Sequence, residues 1–81
     1  MIEQDTSVAR TQSILANFSK FINRLSGVYS TITGVDKYEL FGEANVALIR
    51  AIKNFNATRG SSFETYAKYI IVDAMNEYIR Q

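Results

Sequence analysis

Phe55-Asn56-Ala57-Thr58-Arg59-Gly60-Ser61-Ser62-Phe63-Glu64-Thr65-Tyr66-Ala67-Lys68-Tyr69-Ile70-Ile71 is the stretch on which the reading of the chain turns. Asparagine, threonine and glycine gather ahead of an aromatic run, which predicts a turn, with Gly60 at positive φ, leading into a helix. Ser61 with Glu64 three residues on is a capping-box pair that would open that helix. Its buried stripe would be Phe63, Ala67, Ile70/Ile71, Ala74 and Tyr78, continuing to the C-terminus. Rings at helical spacing are core residues first, so Phe63 is read as core, Tyr66 as the edge of the core, and Tyr69 beside Lys68 as exposed. The same residues carry a second reading. Arg59 near a helix start, with Phe63, Tyr66 and Tyr69 within two turns, offers a cation and flat faces on which unpaired nucleic acid bases can stack.

Working toward the N-terminus, Asn54 to Asn56 closes an earlier helix, and Asp36 with Glu39 forms a second capping-box pair at its start. Its buried stripe is Phe41, Ala44, Leu48, Ala51/Ile52 and Phe55. The opposite face holds Glu39, Gly42, Glu43, Val46, Ile49, Arg50 and Lys53, where Val46 and Ile49 lack an evident burial partner. An apolar pair rimmed by charge marks a protein docking surface, unless the first helix covers it. Further upstream, Ile14/Leu15, Phe18, Phe21/Ile22, Leu25 and Val28/Tyr29 draw one stripe along a scaffold helix starting near Asp5 or Thr6. Gly27 is expected to fray its end, and Thr31 to Asp36 to form the connection.

Composition agrees with this layout. The 81 residues allow one domain, 47% of them are apolar, proline is absent, and only four glycines occur. That is too much to bury for disorder and too few turn formers for an all-β fold, so the prediction is all-α, a compact bundle of three main helices. Cysteine and histidine are both absent, which removes disulfides and the commonest zinc ligands. No apolar run approaches the roughly 20 residues that span a bilayer, and the first five residues are no cationic leader. A soluble, cytoplasmic protein without membrane contact is the expectation. Nine basic against eight acidic residues leave a net charge of +1, too little for tight, independent binding to duplex DNA.

Catalysis finds no constellation. The like-charged pairs Glu39/Glu43 and Asp73/Glu77 at i,i+4 read as solvated helix faces, and neither enzyme activity nor a cofactor is expected.

Three linked blocks carry a resemblance. Glu39-Leu40-Phe41-Gly42-Glu43-Ala44-Asn45-Val46-Ala47-Leu48, then Asn54-Phe55, then Arg59-Gly60-Ser61-Ser62-Phe63-Glu64-Thr65-Tyr66-Ala67 follow, without a gap, the pattern of region 2 of the bacterial sigma-70 family. That pattern runs acidic-Leu-x-x-Glu-Gly-Asn-x-Gly-Leu, Lys-Phe, and Arg-Gly-x-x-Phe-Ser-Thr-Tyr-Ala. The similarity is close over residues 38 to 81 and loose over 8 to 37. It implies a sigma region 2-like fold over 1–81, with a scaffold helix at about 6–30, a core-polymerase-binding helix at 37–55, and a turn plus minus-ten DNA helix at 56–81.

In the family, the second of these helices docks on the clamp helices of the polymerase beta-prime subunit. The positions carried over here are Glu39, Glu43, Asn45 and Ile49. Gly42 departs, since many members have glutamine there, and losing that side chain is expected to weaken the contact or to require a compensating one, while Ala44 and Ala47 replace glycines, which a helix interior tolerates. The turn and last helix open the promoter minus-ten element, flipping a non-template adenine and stacking on the exposed strand. Unstacking costs a few kcal/mol, and aromatic contacts of roughly 1 to 3 kcal/mol per base offset it. The matching positions are Phe55, Arg59 and Tyr66 for the flipped base, with Phe63 and Thr65 alongside, and Tyr69, Asp73 and Asn76 further along the helix.

Ser61, Asn56 and Tyr69-Ile70 stand where primary sigma factors carry a tyrosine, a glutamate and paired tryptophans, so melting is expected to be weaker or differently specified. Asp73 replaces a glutamine that donates to a base; a carboxylate accepts from cytosine but repels phosphate, and Glu77 adds to that repulsion. The resemblance therefore implies a sigma-like subunit in transcription initiation that binds core RNA polymerase and the minus-ten non-template strand of promoter DNA. A polymerase- or partner-binding decoy or adaptor without promoter reading is the alternative. Region 4, which reads the minus-thirty-five element, has no counterpart in the sequence. Met1 tips the expectation from an excised fragment toward a short subunit working with a second protein that supplies a sigma domain 4.

Overall fold

The computed structural model describes residues 2–56, 60 and 62–81, with side chains of the first helix from Val8 onward. Among the described residues it is all helical: α1 (Ile2–Thr33), α2 (Lys37–Asn54) and α3 (Phe63–Arg80). The second helix lies between the other two and packs on both.

The first helix is longer at both ends than its sequence suggests. Gly27 does not fray it, because the cost of a mid-helix glycine, about 1 kcal/mol against alanine, is outweighed by packing on either side. Ile22 and Ser26 are fully buried, and Leu25 and Tyr29 pack on the core. The threonines expected to start the connection instead continue the helix: the hydroxyl of Thr31 donates to the Gly27 carbonyl at 2.9 Å and that of Thr33 to Tyr29 at 2.7 Å. Termination waits for Gly34, whose φ of 81° an L side chain rarely adopts and whose N–H reaches the Ser30 carbonyl at 2.8 Å.

Asp36 caps α2, its side chain accepting from the backbone N–H of Tyr38 at 2.9 Å. The reciprocal half of the expected capping box does not form among the hydrogen bonds described, because the Glu39 carboxylate accepts from the hydroxyl of Tyr78 at the far end of α3. The helix closes at Phe55, which is extended and donates its N–H to the Ala51 carbonyl at 3.0 Å. The cap of α3 is Ser62, one residue later than the sequence pairing proposed. Its hydroxyl accepts from the Thr65 N–H at 3.2 Å and donates to the Thr65 hydroxyl at 3.0 Å. Ser61 lies outside the described residues, and Gly60 has the expected positive φ, 88°.

The buried core joins Phe18 and Ile22 of α1, Leu40, Ala44, Leu48 and Ala51 of α2, and Ala67, Ile71 and Met75 of α3. Leu40 and Met75 were absent from the predicted stripes, as was Ala47, also buried. A helix sandwiched between two neighbours buries a wider arc than a single amphipathic stripe, so Leu40 and Ala47 are buried as well. Conversely, α1 meets the bundle along a narrower arc centred on Ile22 and Ser26, which leaves Val28 46% exposed. The buried hydroxyl of Ser26 donates to the Ile22 carbonyl at 2.7 Å, so this polar group enters the core satisfied.

Candidate functional site

Two surfaces collect the candidate residues, and they differ in how far their side chains are already engaged. The first is the outward face of α2. Leu40, Ala44, Ala47, Leu48 and Ala51 turn inward, and helical geometry then aims Tyr38, Gly42, Val46 and Ile49 away from the bundle. Tyr38 is 81% exposed, Val46 53% and Ile49 38%, so the first helix does not cover this patch. Glu39 and Glu43 rim its N-terminal end and Arg50 and Lys53 its C-terminal end, all exposed.

Of the positions assigned here from sequence, Glu43 and Ile49 are exposed on the surface, whereas the other two are hydrogen-bonded within the chain. Asn45 is half-buried, and its side-chain N–H donates to the Phe41 carbonyl one turn back at 3.0 Å. Glu39 is held by the Tyr78 hydroxyl. That hydrogen bond raises the Tyr78 pKa, with desolvation and the negative charges of Glu39, Glu43 and Asp36 adding to the shift. Tyr38 was missed in the sequence reading, although its place one turn before Gly42 on the same stripe was a usable signal.

The second surface lies where α2 ends and α3 begins. Phe63 packs edge-on against Phe18 of α1, centroids 6.1 Å apart, and against Phe55 at 5.4 Å, both at 84°. Phe55 meets Tyr66 at 5.6 Å with a 45° tilt. These rings form one continuous cluster with Phe63 in the middle, bridging Phe18 and Phe55; all three of Phe55, Phe63 and Tyr66 are half-buried, and Phe63 and Tyr66 pack against the buried core. Arg59, predicted to stand beside them, lies outside the described residues. Thr65 is exposed but engaged in the Ser62 cap. Tyr69, 69% exposed, shares the outer face of α3 with Thr65, Asp73 and Asn76, of which Asp73 is exposed and Asn76 half-buried.

Cations of α3 are partnered locally: Lys68 bridges Glu64 at 3.0 Å and Arg80 bridges Glu77 at 3.5 Å. Lys68 also stands 5.2 Å above the Phe21 ring, closing one side of a cleft between α1 and α3 that Lys20 and Arg24 line. Sequence inspection could not pair these residues, since they come from helices far apart in the chain. Among the described residues no group of three or more acidic side chains could hold a metal ion, and no helix is long and apolar enough to cross a membrane.

The profile of the sigma-70 region 2 family matches residues 18–81, which takes in the second half of α1 and both later helices. No match was found among curated proteins or among solved structures.

Proposed function

The chain belongs to the sigma-70 region 2 family, which acts in transcription initiation, and from that premise we propose that it binds core RNA polymerase through the outward face of α2 and promoter DNA through the α2–α3 junction and α3. The observation that carries the docking half is the uncovered patch of Tyr38, Val46 and Ile49 with acids at one end and cations at the other. Such a patch is the form a protein interface takes: apolar centre, charged rim. Glu39, Glu43, Asn45 and Ile49 are the contacts assigned to the beta-prime clamp helices, with Asn45 acting more as a helix-surface element than as a free amide.

For the minus-ten non-template strand, support comes from the Phe55–Phe63–Tyr66 cluster at the helix junction, where Phe55 and Tyr66 are half-buried, and from the open ring of Tyr69. A flipped base would stack at Phe55 and Tyr66, with Arg59 supplying charge and Phe63 holding the pair from below. Thr65, Asp73 and Asn76 would follow the strand along the outer face of α3. A second protein carrying a sigma domain 4 completes this proposal.

One observation favours a second reading, a polymerase-binding decoy or adaptor: Asp73 and Glu77 are exposed on α3, where a phosphate backbone would be repelled. Pull-down with core polymerase, followed by fluorescence of a base analogue in the minus-ten strand, separates the two. Strand opening is the expected outcome, and binding without opening selects the adaptor. Tyr66→Ala should impair opening and spare polymerase binding, whereas Glu43→Lys should impair docking; equal loss of both functions in both variants sinks the division of labour.

A further inference from the structure

The outward face of α2 contains a glycine for which the fold has no use. Gly42 lies inside the helix, where glycine is worse than alanine because it surrenders more backbone freedom on folding. Its backbone has no need of glycine, since the positive-φ glycines described are Gly34 and Gly60. Packing has no need of it either, for a Cβ added at Gly42 would meet nothing within 4 Å. A missing side chain that neither conformation nor neighbours require points to close approach from outside the chain.

The surroundings say what kind of approach. Gly42, Asn45, Val46 and Ile49 stand at i, i+3, i+4 and i+7, the four corners of the hole into which a facing helix inserts one side chain. Asn45 turns its amide onto the Phe41 carbonyl and so leaves the hole open. Val46 and Ile49 are exposed, and Tyr38, one turn before Gly42, adds an exposed aromatic wall. The rim is acidic at Glu39 and Glu43 and basic at Arg50 and Lys53, which suits a helix carrying the opposite order of charge.

We propose that Gly42 is the side-chain-free corner that opens a hole to receive one large apolar side chain from a helix of core RNA polymerase, with Tyr38 as its flanking wall, which makes Gly42 a specificity-determining residue of the docking face. The proposal rests on the docking reading above and adds to it the shape of the contact.

The test uses the full chain and core polymerase, with affinity and thermal melting measured side by side. Gly42→Ala should keep or raise the melting temperature while weakening polymerase binding by about 5-fold or more, the loss expected when a methyl group is forced into a packed contact. Gly42→Gln should weaken it further, and Tyr38→Ala should also reduce affinity without lowering stability. If Gly42→Ala and Gly42→Gln bind as tightly as the parent while Val46→Asp does not, docking stands and the hole is refuted. A lower melting temperature for Gly42→Ala would place the need for glycine inside the fold and likewise overturn the proposal. Should Val46→Asp and Ile49→Asp both bind normally, the docking reading itself fails.

Discussion

The outward face of α2 and the aromatic junction ahead of α3 are both rich in apolar side chains, yet one is left open by the fold and the other is built into it. Tyr38, Val46 and Ile49 are exposed, whereas Phe55, Phe63 and Tyr66 pack on one another and, through Phe18, on α1. A surface with few internal commitments can meet a rigid partner without rearrangement, which lowers the ordering cost of association. A ring cluster that also supports the fold must keep its inner members in place and offer only its rim. Substitutions in the two regions should therefore fail in different ways.

The largest effect is expected at the centre of the cluster. Phe63→Ala removes the ring that joins Phe18 to Phe55, and for a half-buried phenylalanine the loss should be about 2 to 4 kcal/mol of stability, read by chemical denaturation. A change within 0.5 kcal/mol, the range expected of surface substitutions, would mean that the cluster does not hold the fold. Next comes Val46→Asp, which places a charge in the apolar centre of the docking face. Polymerase affinity should fall by about 2 kcal/mol, or about 30-fold, with the melting temperature unchanged. A parallel drop in stability would make Val46 a core residue and erase the contrast.

Tyr66→Ala sharpens the comparison from the other side, because Tyr66 is a rim residue of the cluster. Strand opening should weaken by about 1 to 3 kcal/mol, the value of one base–aromatic contact, as measured with a base analogue. Loss of the folded state instead would put Tyr66 with Phe63.

The smallest effect belongs to the link between α2 and α3. Tyr78→Phe deletes the hydrogen bond to Glu39. The folded-state pKa of Tyr78 is raised above its ordinary value of 10.0, so its contribution to stability is present in full below that value and is lost as pH rises through the folded pKa. In alkaline denaturation series, the parent protein should lose its advantage over Tyr78→Phe as pH climbs past 10.0; a constant difference at every pH would mean that ionisation of Tyr78 is not linked to folding.

Much of this was legible in the chain. The apolar periodicity of each segment, the Asp36 cap, the positive φ of Gly60 and the exposure of Tyr69 could be read because each depends on neighbours within one or two turns, whereas the openness of the Val46 and Ile49 face could not. The three family blocks carried the kinship that the profile match over residues 18–81 shows. Other features were not legible for the opposite reason. That α1 runs through Gly27 to Thr33, that Leu40, Ala47 and Met75 are buried, and that Glu39 is held by Tyr78 all depend on which helix lies beside which. Local propensity and spacing thus settled the helices and their order, and the resemblance of the three blocks pointed to the family. Tertiary packing alone decided which apolar faces stayed open, because burial is a property of pairs of surfaces and one strand of sequence contains only half of each pair.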